Sequence, residues 1–163
     1  MGLPRSAPIV CGVAFKEPGT EAVRNFDPAA MIGARKARGL THDALADIVK
    51  IGRPNLIAYE KGRRRPTPQR LVSLATALHV DPLALTTSTM ATATLNDMRV
   101  RVGLDMTTIA TRLDIDRATY QAIELGETPM SRQISEALAE ILGISTRQLK
   151  LALKRGLASD AGD

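Results

Sequence analysis

The sequence predicts an all-α protein built from two tandem five-helix units, on three observations. Residues 31–85 recur as residues 95–149 at a constant offset of 64, without insertion; Arg35/Arg99, Gly39/Gly103, Leu40/Leu104, Ala46/Ala110, Arg53/Arg117, Glu60/Glu124, Gly62/Gly126 and Leu78/Leu142 are among the identities. Aromatic residues make up only 2% of the chain, and β-branched residues do not alternate over strand-length runs. Proline, glycine and short polar side chains fall at the borders of segments with helical apolar spacing. Two copies that keep the same apolar positions and turn glycines imply one small fold built twice.

The first helix starts at Asp27-Pro28, where an acceptor side chain caps the end and proline forfeits no hydrogen bond. Gly39 ends it, because glycine takes the left-handed conformation favoured after a helix. A second helix opens at Thr41 and sets Leu45, Ile48 and Val49 on one face. The third runs from about Arg53 to Lys61 and stops at Gly62. Thr67-Pro68 caps a fourth, which buries Leu71, Leu74, Ala75 and Leu78, and a short fifth opens at Asp81-Pro82. The second copy has caps at Asp105, Asp116 and Ser131, and its last helix starts in a capping box, Ser145 to Gln148. That helix is expected to reach Gly156, about two turns past its counterpart, with Leu149, Ala152 and Leu153 in one apolar stripe and Leu151 and Leu157 beyond it. The expected division is a poorly ordered arm at 1–26, a first domain at 27–86, a linker at 87–94, a second domain at 95–157 and a tail at 158–163.

Composition narrows the functional classes. Cys11 is the single cysteine, so no disulfide forms within the chain, and a cytoplasmic setting is expected. No apolar run approaches a membrane span; Ala7–Phe15 is short and ends at Lys16, Glu17 and Pro18, which argues against a leader. Two isolated histidines and one cysteine form neither a metal set nor a nucleophile–base pair, so neither catalysis nor a cofactor is expected. The net charge of +5 is unevenly placed. Residues 29–85 hold ten basic and four acidic side chains, a net +6, whereas residues 95–155 hold nine and eight, a net +1. The first copy therefore carries nearly all the attraction for a polyanion.

Gly39-Leu-Thr, Leu45-Ala46, Arg53-Pro-Asn and Tyr59-Glu60-Lys61-Gly62 followed by Pro66 resemble the pattern of the lambda-repressor-like helix-turn-helix family of phage repressors, xenobiotic-response-type regulators and antitoxins. The resemblance implies that Arg35 pairs with Glu60, and Arg99 with Glu124, as features of the fold. It also implies that the third helix enters the major groove of double-stranded DNA while the second crosses the backbone, so that Arg53, Pro54, Asn55 and Ala58 face base edges. Arginine can pair bidentately with guanine and asparagine with adenine. Lys61 and the run Arg63-Arg64-Arg65 follow that helix, where a loop approaches phosphates; a merely solvated turn is the competing reading. Where the family often has a phosphate-binding glutamine, His42 can still donate, but Met106 cannot. His79 matches Gly143 and is expected to end a helix in the left-handed conformation rather than serve a site. In the second copy Arg117, Thr119 and Gln121 could reach bases, yet Asp114 and Asp116 flank the helix start and Glu127-Thr128 replace Arg63-Arg64. That copy is read either as a second DNA reader or as a packing unit through which the chain forms a homodimer.

The function these features imply is a sequence-specific transcriptional regulator, a repressor, nucleoid-associated when DNA-bound. The alternatives are an antitoxin that also binds a toxin chain, and a protein-interaction adaptor that never meets DNA. The basic turn at Arg63–Arg65 counts against the adaptor.

Overall fold

A computed structural model describes residues 21–160. Among these the secondary structure is helical apart from one isolated bridge, Phe26 to Thr86. The first repeat comprises α1 (Pro28–Ala37), α2 (His42–Ile48), α3 (Arg53–Glu60) and α4 (Pro68–Leu78). Its expected fifth helix is a single 3-10 turn, Pro82–Leu85. The second repeat comprises α5 (Leu95–Arg101), α6 (Met106–Arg112), α7 (Arg117–Glu124), α8 (Arg132–Leu142) and α9 (Thr146–Asp160).

The helix ends follow from local chemistry. The side chains of Asp27, Thr41, Thr67, Asp105, Asp116 and Ser131 each accept from a backbone N–H in the first turn that follows. Ser145 and Gln148 complete the expected capping box, and Thr94 with Asp97 forms another at the start of α5. His79 does end α4 in the left-handed conformation, at φ 58°, as Gly143 ends α8 at φ 63°.

Equivalent side chains fill two cores. Met31, Leu45, Leu56, Leu74 and Leu78 are buried in the first; Leu95, Ile109, Tyr120, Leu138 and Leu142 hold the same places in the second. Tyr120 brings a hydroxyl into a position held by leucine in the first copy, and that hydroxyl donates to Glu124 at 3.0 Å. The stripe of Leu149 and Ala152 on α9 is buried by the second repeat itself, against α5 and α8, while Leu151 and Leu157 remain exposed.

Three expectations need correction. Of the residues assigned to a poorly ordered arm, 1–20 lie outside the described residues, as does the end of the assigned tail, but 21–26 are packed. Val23 and Phe26 are buried in the first core because two apolar side chains in an otherwise polar stretch find an open edge there, and Phe26 meets Tyr59 edge-on. The linker is also built in: Ala93 is buried, and Ser88 donates to Asp97 at 3.0 Å. Finally, α9 passes Gly156 and ends at Asp160, since one glycine costs a helix only about 1 kcal/mol and no cap residue stops the chain there.

The repeats meet through α4 and α5. Val100 of α5 is buried in the first core, and Leu83 of the 3-10 turn in the second. Arg101 donates to Asp81 at 2.8 Å, Asn25 to Asp97 at 2.8 Å, and Arg99 to Glu21 at 3.1 Å. The repeat is broken at these contacts: the equivalents of Val100, Leu83, Arg101 and Asp81 are Lys36, Arg147, Ala37 and Ser145. The same contacts therefore cannot form a second time with the roles of the two repeats exchanged.

Candidate nucleic-acid interface

Two short helices and the turn between them place the side chains expected to meet DNA. Between α2 and α3 the chain turns at Lys50, at φ 53°, and its counterpart Asp114 turns the same way at φ 54°. Leu45 and Leu56 anchor the two helices in the core, which leaves the start of α3 on the surface. Arg53, Pro54, Lys61, Arg63, Arg64 and Arg65 are exposed, and His42, Asn55 and Ala58 half-buried. One surface thus combines the start of α3 with the arginine turn that follows it.

Several of these groups are held by neighbours. Arg64 donates from Nη1 to the side-chain oxygen of Asn55 at 2.6 Å, so the expected adenine reader and one of the expected phosphate ligands form a pair. Asp43, on the first turn of α2, lies 3.4 Å from Nε of Arg53. Sequence reasoning missed Asp43, although an acid in the first turn of the second helix stood out against a basic repeat. His42 sits 2.8 Å from Glu60. An ionised carboxylate only accepts, so His42 presents its Nε2–H to Glu60. Two further cations of this repeat also work for the fold: Arg35 pairs with Glu60 and donates to the Leu40 carbonyl, and Arg70 donates to the Val49 carbonyl at the end of α2.

Glu60 is the hub of this cluster. Burial pulls its carboxyl upward, but hydrogen bonds and charge from Arg35 and His42 outweigh that and hold it below its ordinary value. In the second copy Glu124 accepts from Nε of Arg99 at 2.8 Å, and Arg99 is fully buried. Burial disfavours its charge, yet Glu124 and Glu21 more than compensate. Burial and the Glu124 carboxylate push the Tyr120 phenol well above its ordinary range.

The second copy presents a different surface. Gly52 precedes α3 and offers no side-chain cap, Pro54 has no N–H, and the Asn55 N–H donates to the Gly52 carbonyl at 2.9 Å; the equivalent Asp116 caps α7 with a carboxylate. Asp116 takes both the backbone N–H and the hydroxyl of Thr119, bonds that lower its pKa. Arg117 and Gln121 remain exposed. Gln121 lines a cavity of about 370 Å³ together with Glu21, Met106, Glu124, Leu125 and Gly156. Leu157 of α9 lies against Gly126, the counterpart of the glycine that opens the arginine turn.

Comparison with known families matches a helix-turn-helix pattern to residues 33–85 and a helix-turn-helix domain pattern to residues 92–152. The chain belongs to the lambda-repressor-like helix-turn-helix family. It carries the helix-turn-helix domain of that family twice, and the matched segments run from α1 to the 3-10 turn and from α5 into α9. Neither a curated protein nor a solved structure matches the chain. Among the described residues no helix is long and apolar enough to cross a membrane.

Proposed function

We propose that the chain is a sequence-specific DNA-binding transcriptional regulator, acting as a repressor, that reads the major groove with α3 of its first repeat. The observation that carries this is the single surface formed by Arg53, Asn55 and Arg63–Arg65, set on an uncapped helix start in a repeat of net +6. Arg53 and the Asn55–Arg64 pair supply base-edge donors, with Pro54 and Ala58 as apolar neighbours. Lys61, Arg63 and Arg65 supply the phosphate contacts that dominate affinity. His42 supports the surface through Glu60. Occupying a promoter needs nothing more than this, which is why repression is the sparest mode of action.

The second repeat is proposed as a packing unit, because Asp116 occupies the start of its recognition helix and engages Thr119. The exposed Leu125, Leu151 and Leu157 favour a homodimer through this repeat. Sedimentation of the full chain beside a Leu151→Glu/Leu157→Glu variant reads that directly; a monomeric parent chain overturns it.

Selection of duplexes from a random pool by the full chain tests the DNA reading. An enriched sequence is expected, bound less tightly and less selectively by Arg53→Ala and Asn55→Ala. Replacing Arg63, Arg65 and Lys61 with alanine should weaken binding on every duplex and reduce the salt slope by roughly one for each phosphate no longer neutralised. With no enriched sequence, the regulator reading falls. Transcription in vitro from a promoter overlapping the selected site should decrease as protein is added; an increase would make the chain an activator.

A further inference from the structure

We propose that Asp43 is a specificity-determining positioning residue, whose carboxylate orients Arg53 toward a base edge. This rests on the reading of α3 as the recognition helix. Asp43 and Arg53 stand on the first turns of the two helices of the motif, with the carboxylate 3.4 Å from Nε. A carboxylate on the Nε side of a guanidinium leaves the two terminal nitrogens facing outward as a donor pair, the arrangement that matches O6 and N7 of guanine. An arginine held this way loses less rotamer freedom on binding than a free one.

Neither affinity nor stability accounts for an acid at this place. The side chains of Arg53 and Asp43 are 58% and 66% exposed, where an ion pair contributes little to the fold. A carboxylate on a surface that faces phosphates opposes binding. A helix-dipole contribution to α2 would explain an acid in the first turn but not its contact with Arg53. The second repeat has the arginine, Arg117, but Thr107 where the first has Asp43. The brace thus accompanies only the copy whose recognition helix starts without an acidic cap.

The test uses the full chain and a duplex that it selects from a random pool, with single-base variants and a scrambled duplex. Arg53→Ala first identifies the base pair at which discrimination falls. Asp43→Ala should bind the scrambled duplex more tightly, because a repulsive charge is gone, while discrimination at that base pair falls roughly five- to tenfold, part of what one bidentate contact supplies. Asp43→Asn should also bind the scrambled duplex more tightly but keep most of the discrimination, because its amide oxygen still places a partial negative charge beside Nε. Asp43→Ala should add no further loss of discrimination to Arg53→Ala, and thermal melting should show each variant folded. Equal gains for Asp43→Ala on all duplexes, or equal loss of discrimination in the alanine and asparagine variants, would reduce Asp43 to a surface charge while leaving α3 as the reader. A wild-type chain that enriches no sequence overturns both.

Discussion

Arg35 and Arg99 hold the same position in the two copies, yet their surroundings set different stakes. Arg35 shares Glu60 with His42, and side-chain water access persists at the edge of that cluster. Arg99 has no exposure and divides its donors among Glu124, Glu21, Asn96 and the Leu104 carbonyl. Removing Arg99 would leave the Glu124 carboxylate buried without its cation. Arg99→Met is therefore expected to cost ~3–5 kcal/mol, and the Arg99→Met/Glu124→Leu pair less than that, as measured by urea unfolding. The pH dependence follows from Glu60. A carboxyl held below its unfolded value contributes stability above that value and loses it as pH falls through the folded one. Between about pH 6 and pH 3 the full chain should therefore lose stability more steeply than Glu60→Gln, and identical slopes would show that the cluster does not hold the charge.

Helix by helix, what was legible in the sequence is what local chemistry decides. Caps at Asp27, Thr41, Asp105, Asp116 and Ser131, and the left-handed end at His79, depend on a few neighbouring residues and could be read from them. The end of α9 could not, because Gly156 alone is too weak a stop, nor could the cover of its Leu149 and Ala152 stripe, which α5 and α8 supply. The pairing of Arg64 with Asn55 was equally hidden, since it depends on how the turn after α3 folds back. The turns after α1 and α5 supply an internal control. Gly39 and Gly103 both sit at positive φ, 63° and 75°, so an alanine at either incurs a left-handed penalty of about 1–2 kcal/mol. A Cβ at Gly39 meets open space, whereas at Gly103 it would stand 3.1 Å from Val72 of α4. Gly103→Ala should lower the melting temperature more than Gly39→Ala, and equal shifts would mean that the α4–α5 contact gives way freely.

For the whole molecule, the two copies are one folding unit rather than beads on a linker. Val100 sits in the first core and Leu83 in the second, and residues 21–26 bind both repeats. Calorimetry of the full chain should give one cooperative transition, and two separable transitions would contradict the shared cores. The sequence carried a signal for this interface in the positions where the repeat breaks, apolar in one copy and charged in the other, as at Val100/Lys36 and Leu83/Arg147. Such breaks are legible only once the repeat is taken as the reference, and they show where the copies part without showing what covers them. The recognition surfaces part in the same way: Gly52 against Asp116, Arg64 against Thr128, Asp43 against Thr107.

That asymmetry is the central claim, and one measurement reaches it directly. Two full-length variants, Arg53→Ala/Asn55→Ala/Arg64→Ala and Arg117→Ala/Thr119→Ala/Gln121→Ala, would be titrated by fluorescence anisotropy against the selected duplex and its scrambled form at one salt concentration. The first-repeat variant is predicted to lose discrimination by roughly tenfold or more, while the second-repeat variant stays within about twofold of the parent chain. Equal losses in the two variants would make both copies readers of tandem half-sites and contradict the account.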